Sequence, residues 1–519
     1  MRLLLLLVAL LLGLPAWAQP VITENAKLVG SSADAFATAG WAIAAADGFV
    51  VLGAFRDDSA PTTGAAYVFR ETAGGWEEET RLNASQQSFF TFGMAVGAWS
   101  DSREDVVIAG ARGDSFRPET DAAYIFRRSV DAEWVQEARL TNGADIHESF
   151  GHAVAIHGDY AVVGAVGADD AGGTTGAAYA FRRTTDGMWV EEARLLASDA
   201  SVKAGFGRGV SIVVSSDGVP FALIGAPSDS DQRGAAYAFR RTPEGTWVEE
   251  AKLVAPDANV GDLFGLGVAL VETPDGEILA LAGATSQDIN GMLSVGAGYV
   301  FRREGDNAWV FEKKLIAANG SKAQGLGWSV ALAAAPNIGG TVAVLGGDRA
   351  YNFAGTVRLF RRTSEGGVPL WTEEAELWAS DRTPGDQIGY SVGASGRYAV
   401  AGAPNNDDGR GAGYVWDLRR AVPAESEPVA GADSAELTAY PNPAAGGPVT
   451  LQLRLPRATH VRIDAYDVLG RRVAMLADGR VEAGRQVFIL DGRALPTGVY
   501  LVRAEVGGQR FSQRITVVR

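Results

Sequence analysis

With 519 residues, 47% of them hydrophobic, the chain is long enough for more than one domain and too apolar to be disordered throughout. It contains no Cys, which excludes thiol catalysis, Cys-ligated metals and disulfide cross-links. The formal net charge is −16, although residues 436–519 hold 12 Arg against 7 acids; the acidic remainder repels nucleic acid and anionic lipid, so neither is expected as a partner.

The chain opens with Arg2, an apolar run over residues 3–14 and the small-x-small group Ala16-Trp17-Ala18. Residues 1–18 therefore read as a cleavable export signal, with Gln19 beginning the mature protein. The apolar run is short for a membrane span and no later stretch approaches about 18 apolar residues, so no span is expected in the mature chain.

From there to residue 420 the sequence repeats. A glycine opens an inner strand at Gly40, Gly93, Gly151, Gly207, Gly265, Gly327 and Gly389, mostly behind Phe or a similar large apolar residue. A second strand, apolar at nearly every position, ends at Gly53, Gly110, Gly164, Gly225, Gly283 and Gly402, with Gly346-Gly347 as the variant. A third strand of the type GAAYAFR surrounds Tyr67, Tyr124, Tyr179, Tyr237, Tyr299 and Tyr414 and alternates apolar with polar. An outer strand begins at Trp76, Trp134, Trp189, Trp247, Trp309 and Trp371, whose indoles are expected to fill a wide outer gap between radial sheets. Seven units of four strands, spaced 53 to 62 residues apart, predict a seven-bladed β-propeller over residues 19–420.

The seventh unit stops at residues 411–420 without its Trp strand, while residues 21–28 (VITENAKL) match residues 371–377 (WTEEAEL) with Ile22 in the Trp place. The N-terminal strand is therefore expected to complete the last blade and leave no open edge. Phe150-Gly151, Gly225-Ala226-Pro227 and Gly402-Ala403-Pro404 give this region its family likeness: it resembles the FG-GAP repeat propellers, best known from integrin α-subunits, and bacterial surface members more than integrins.

Residues 421–436, rich in Ala, Pro, Ser and Glu, read as a solvated linker. Residues 437–519 alternate in short segments between Gly-containing turns, as a small antiparallel Ig-like β-sandwich would. Tyr440-Pro441-Asn442-Pro443, then Asp467-Val468-Leu469-Gly470-Arg471, then the LPTGVYL segment at 495–501 before a basic terminus, resemble the C-terminal sorting domain of the type IX secretion system of Bacteroidota. The resemblance implies a partner in that machinery, passage through the outer membrane, and a secreted or cell-surface product.

Chemistry is harder to find. His147, His152 and His157 fall within 11 residues, but His152 and His157 are five apart in an extended segment and point to opposite faces; exposed or edge positions are expected for them, and no zinc site. His460 stands alone. Nucleophile elbows, phosphate loops and zincin motifs are missing, so no catalytic residue is assigned. Asp57-Asp58, Asp114, Asp169-Asp170, Asp229 and Asp231, Asp288, and Asp407-Asp408 follow the Gly-Ala landmarks and should gather on one face. Calcium is the one cofactor such oxygen-rich loops could hold. The loop by which some FG-GAP relatives bind calcium is lacking at residues 214–227 and 272–284, so these aspartates read first as solvated turn residues and no metal ligand is assigned. Arg112-Gly113-Asp114 spells an integrin-binding tripeptide in a loop that carries Gly and Asp for reasons of the repeat.

These features point to a non-enzymatic extracellular binding or adhesion module for an unidentified glycan or protein. A polysaccharide hydrolase or lyase, or a structural surface-layer component, is the alternative. Irregularity is greatest at residues 286–295 and at 346–360, where Arg358 replaces the recurrent Tyr; a unique pocket would be sought there.

Overall fold

A strand that is apolar on both sides is stable only when both faces are covered. In a computed structural model of the chain the second strands meet this condition throughout: Phe49–Ala54, Pro220–Ala226, Ile278–Ala284, Thr341–Gly347 and Tyr398–Ala403 are buried at every position. The structure describes residues 21–421 and 436–518, except 35, 58–63, 86–90, 114–120, 144–147, 171–172, 321–323, 366–367, 441–443, 446–447, 456–458, 468–470, 482–483, 492, 494 and 507–508. The expected export signal, and the expected linker apart from its two ends, lie outside the described residues. Two compact units emerge, Met1–Ala424 and Glu425–Arg519.

The first unit is almost wholly strand and β-propeller-like. Among the described residues it forms seven sheets, each with four antiparallel strands that pair in order, the sixth carrying a fifth strand in parallel, besides one two-stranded hairpin. The fourth, for example, runs Val210–Val214, Pro220–Ala226, Ala235–Arg241 and Trp247–Leu253. First strands touch their neighbours in turn, and Ser391–Ala394 of the seventh sheet meets Ala42–Ala46 of the first. The landmark glycines explain how the sheets approach. The seven that open the first strands all have φ between +84° and +89°, a left-handed conformation that favours Gly. A β-carbon on Gly53, Gly110, Gly164, Gly225, Gly283, Gly346 or Gly402 would collide with the carbonyl of Gly93, Gly151, Gly207, Gly265, Gly327, Gly389 or Gly40 respectively.

The third strand departs from its expected alternation. Ala235–Arg241 and its counterparts are buried on both faces through the phenylalanine and emerge only at the arginines. The tyrosine that suggested a polar face is buried with its hydroxyl bonded to a carboxylate: Tyr237 donates to Asp199 at 2.7 Å and Tyr299 to Asp257 at 2.7 Å.

Ring closure follows the expected route with one change. Ala26–Leu28 pairs antiparallel with the third strand of the seventh sheet, Lys27 opposite Tyr414, but Val21–Thr23 crosses to pair in parallel with the outer strand of the sixth sheet, Ile22 opposite Leu377. The third strand of the seventh sheet ends at Asp417 and turns into a helix at Leu418–Ala421. It offers no partner to residues 21–23, which find one next door. Ile22 thus does not stand in for a Trp within its own sheet; its carbonyl instead accepts from the Trp416 indole at 3.2 Å.

At the rim, five junctions share one arrangement. A glutamate three residues after the Trp of one sheet (Glu79, Glu137, Glu192, Glu250 and Glu312) accepts from the indole N–H of the next sheet's Trp at 2.7–3.2 Å. The second Arg of the next sheet (Arg128, Arg183, Arg241, Arg303, Arg362) reaches the same carboxylate at 2.6–2.9 Å, and an Arg of its own sheet also joins it. The Trp residues do fill the outer gap, and they also hydrogen-bond across it.

The second unit has two sheets, Glu436–Tyr440/Pro448–Leu455/Gly484–Asp491 and Ala444–Ala445/Gln509–Val518/Gly498–Val506/Thr459–Asp467/Arg472–Val481. Alternate residues such as Val449, Leu451, Leu453, Val461, Ile463, Val502 and Ala504 build a single core between them. Tyr500 ties the LPTGVYL segment by donating to the Pro496 carbonyl at 2.7 Å.

Replacing Gly225 with Ala should destabilise the protein by about 3 kcal/mol, the upper range for overpacking, in urea unfolding of the purified chain; a loss below about 0.5 kcal/mol, the level of a neutral surface change, would contradict the close approach. The rim glutamates give a pH prediction. Burial pushes their carboxyls up, but the arginine and indole hydrogen bonds outweigh it and hold all five below the ordinary value of 4.5. Their contribution is present in full above pH 4.5 and is lost as pH falls through the depressed values. The melting temperature should therefore drop steadily below pH 4.5 in thermal melts, and Glu192→Gln should lower it at pH 7; a level profile from pH 5 to 3 would refute the assignment.

Candidate functional site

Each first strand begins with a landmark glycine that must touch the neighbouring backbone, so the next side chain is the first that can point into the central space. These seven residues are Trp41, Met94, His152, Arg208, Leu266, Trp328 and Tyr390, and together they line one cavity of about 240 Å³. Deeper along the same strands the lining turns small and apolar, with Ile43, Val154, Ile212, Val268 and Val330. The repeat fixes the backbone around this mouth, while the side chains on it do not repeat.

The mouth has two sides. Trp328, Tyr390 and Trp41 come from the sixth, seventh and first sheets and form an aromatic arc: ring centroids of Trp328 and Tyr390 are 5.6 Å apart, and those of Tyr390 and Trp41 4.5 Å. Phe55 extends the arc at 4.8 Å from Trp41. Burial pushes the Tyr390 hydroxyl up to about 12 against the opposing charge of Arg208, so it stays protonated. On the other side Arg208 donates to the His152 ring at 2.7 Å. Burial, reinforced by the charges of Arg208 and Arg112, lowers His152 to about 3, and the ring is neutral at physiological pH.

Of the three clustered histidines expected at exposed or edge positions, two do lie on the edge strand of their sheet, but neither is exposed. His152 lines the cavity, and His157 stacks on Trp99 with centroids 5.7 Å apart; burial lowers it to about 4. Extended backbone places them at opposite ends of one strand, Phe150–His157. His147 lies outside the described residues, and His460 is exposed, 3.5 Å from Asp478. No group of three or more His, Cys, Asp or Glu among the described residues is arranged to hold a metal.

The post-landmark aspartates already have cations or are turned to solvent. Lys252 reaches both Asp199 at 2.6 Å and the buried Asp229 at 2.7 Å; Lys27 reaches Asp381 at 2.7 Å and Asp407 at 3.0 Å. Asp57, fully buried, accepts from Tyr67 and lies 3.4 Å from Arg81. The lysines and arginines come from the outer strand directly opposite the recurrent tyrosine, as in Tyr237 opposite Lys252 and Tyr67 opposite Arg81. Asp288 caps a turn by accepting from the Ser294 amide. Asp231, Asp407 and Asp408 sit in left-handed turns, and Asp231 and Asp408 are exposed. Asp169 pairs in a two-residue hairpin, while Asp58 and Asp114 lie outside the described residues. Of the Arg-Gly-Asp tripeptide, Arg112 and Gly113 are anchored: the Arg112 carbonyl accepts from Thr91 and the Gly113 amide donates to Asp121 at 2.6 Å.

Arg358 does not mark a pocket. It is fully buried, 3.1 Å from Glu376 and 3.2 Å from Glu373. Glu376 holds the cross-strand place that Lys or Arg takes elsewhere, so the sixth sheet exchanges a Tyr–Lys pair for Arg–Glu with the charges inverted. In the loop at 286–295, Gln287 is buried with its side-chain amide 2.7 Å from the Tyr299 hydroxyl, while Leu293 is exposed. Sequence reasoning overlooked the residue after each landmark glycine. Its signal was present: aligning the seven units on that glycine exposes one position that differs in every unit but one while its surroundings recur.

The FG-GAP repeat model matches residues 134–181, 189–239, 247–301 and 371–416, and the model of the secretion system C-terminal sorting domain matches residues 438–518. The chain carries FG-GAP repeats and a secretion sorting tail. The tail indicates export to the cell surface or extracellular space and interaction with the type IX machinery; among the described residues no helix is long and apolar enough to cross a membrane. No curated protein matches the FG-GAP chain. Solved structures with similar folds include PorZ, described as an essential bacterial surface component of the type IX secretion system of Porphyromonas gingivalis, at 12% identity and TM-score 0.43 over 92% of this chain. This chain spans 59% of the length of PorZ. Sqt1 of Chaetomium thermophilum is 12% identical at TM-score 0.40, over 77% of this chain and 98% of that one. An α-L-arabinanase of Penicillium chrysogenum is 11% identical at TM-score 0.40, over 63% and 94%.

Because a lysine ammonium already bridges the aspartates of the fourth and seventh sheets, thermal melts in millimolar calcium and in excess EDTA should coincide. A rise of several degrees with calcium would instead make these FG-GAP loops metal sites, since a ligand that binds only the native state raises its stability.

Proposed function

We propose that the first unit is a seven-bladed β-propeller, followed by an Ig-like sorting domain, and that the exported protein is a non-catalytic binding module that takes an extracellular glycan at the central mouth. One observation carries this reading: a scaffold repeated seven times presents seven side chains of which three, in adjacent sheets, form an aromatic arc. Flat aromatic faces offer the apolar surface on which the C–H face of a sugar ring can lie, and a few polar groups opposite them orient it.

The alternative is a polysaccharide hydrolase or lyase on the same scaffold. Glycoside hydrolysis ordinarily needs two carboxyl groups flanking the bond, and the described residues that line the mouth and the passage below it include no Asp or Glu. Proton abstraction needs a base matched to the working pH, whereas His152 at about 3 holds a proton poorly. Both points favour binding over turnover. After export, the sorting tail would be removed and the propeller released or attached to the surface.

Binding of the purified protein to a panel of extracellular oligosaccharides tests the reading. Trp41→Ala and Trp328→Ala should each weaken the best ligand at least tenfold while the melting temperature changes by no more than a few degrees. Depolymerisation of any panel member by the wild type would favour the enzyme. Tight binding of a protein ligand that survives both substitutions would move the function away from the mouth.

A further inference from the structure

We propose that the mouth receives an acidic sugar, with its carboxylate against Arg208 and His152 and its ring against the arc of Trp41, Tyr390 and Trp328. The inference rests on the glycan-binding reading and narrows it to a charge class. Arg208 Nη1 lies 2.7 Å from His152 Nε2. A guanidinium cannot accept a hydrogen bond, so Nε2 is the acceptor and the imidazole proton sits on Nδ1. That Nδ1–H is buried and has no hydrogen-bond partner; the buried Nε–H of Arg112 has none either. Arg112 lies near enough for its charge to act on both Arg208 and His152.

The cluster therefore has donors to spare and no acceptor. Among the described residues the bond to His152 is the only hydrogen bond or ion pair of the Arg208 side chain. The rim arginines differ, since each of the ten described above meets a glutamate. A buried donor left without a partner is costly, and the charges of Arg208 and Arg112 repel. An anionic acceptor relieves both, and a carboxylate matches the planar fork of Arg. Asp348, whose charge acts on Tyr390, does not supply it: Asp348 is buried, 3.9 Å from Arg349. Arg349 in turn lies over Trp328, 5.8 Å from the ring centroid. The facing aromatic rings demand an apolar surface on the same ligand. A cavity of about 240 Å³ falls below the roughly 300–1,000 Å³ of sites that enclose drug-sized molecules, so it suits one ring, at a chain end or on a branch, with the rest of the glycan outside.

Calorimetric titration of the purified full chain with methyl β-D-glucuronoside, methyl β-D-glucoside and N-acetylphenylalanine tests this. The glucuronoside should bind at least tenfold more tightly than the glucoside, and its affinity alone should fall as salt is raised. Arg208→Met should abolish that preference and Arg208→Lys should keep part of it, while Trp41→Ala weakens both glycosides together. Should Arg208→Met fail to fold, the salt series on the wild type still decides. Equal affinity for the two glycosides, a salt-independent glucuronoside, a preference undiminished in Arg208→Met, or binding of neither glycoside would overturn the carboxylate contact, leaving the glycan reading to stand on the oligosaccharide panel. N-acetylphenylalanine binding ahead of both would overturn the sugar and point to a peptide carboxylate. If no oligosaccharide of the panel binds either, both readings fall.

Discussion

Where two neighbouring sheets meet at their inner ends there is room for backbone and nothing else. A glycine ending one second strand faces the carbonyl of the glycine opening the next first strand, seven times over, including the step from Gly402 to Gly40. At the rim the same two sheets are spread far enough apart for an indole and a guanidinium to lie between them. Close approach at one end and wide separation at the other is what turns each sheet by a fixed amount relative to the last. The ring, the central cavity and the identity of the residues that line it all follow from that wedge.

The two ends of the wedge carry different kinds of sequence. Rim positions recur because each glutamate has to meet a Trp and an Arg from the next sheet, and changing one member strands the others in a half-buried place. At the five regular junctions the set is kept whole. Where the ring is sewn shut it is replaced: Glu374 keeps only its own-sheet Arg361, and Arg397 joins Glu71 and Asp417 across the last junction. At the mouth no such reciprocity holds, because side chains there face open space. That freedom lets the mouth vary on an unvarying frame.

Much of this was legible in the sequence because glycine, tryptophan and double-sided apolar strands record local requirements of the backbone. The units, the outer-gap Trp and the closing N-terminal strand could all be read in that way. What stayed hidden are relations between positions about 50 residues apart. Nothing in the local pattern of WVEEA says which of two adjacent glutamates meets the next sheet. Arg358 looked like an irregularity because its partner Glu376 lies on another strand; together they are a conservative exchange. The recurrent Asp residues read as solvated turns, and the Lys or Arg opposite each tyrosine, which meets several of them, could not be seen from the local pattern.

Six of the sheets are drawn from contiguous stretches of chain and can form as soon as their own residues are available. The seventh cannot. Its outer strand, Ala26–Leu28, belongs to the other end of the unit, and Lys27 meets Asp381 over a separation of 354 positions. Loop closure of that length is slow relative to hairpin formation, so the seam is the last joint to form and, by the same token, the first from which the unit would unzip. An incomplete unit emerging from an export channel would present six finished sheets and one with an unpaired edge. Attachment of that edge turns an open row of sheets into a closed one, with no sheet left at an end.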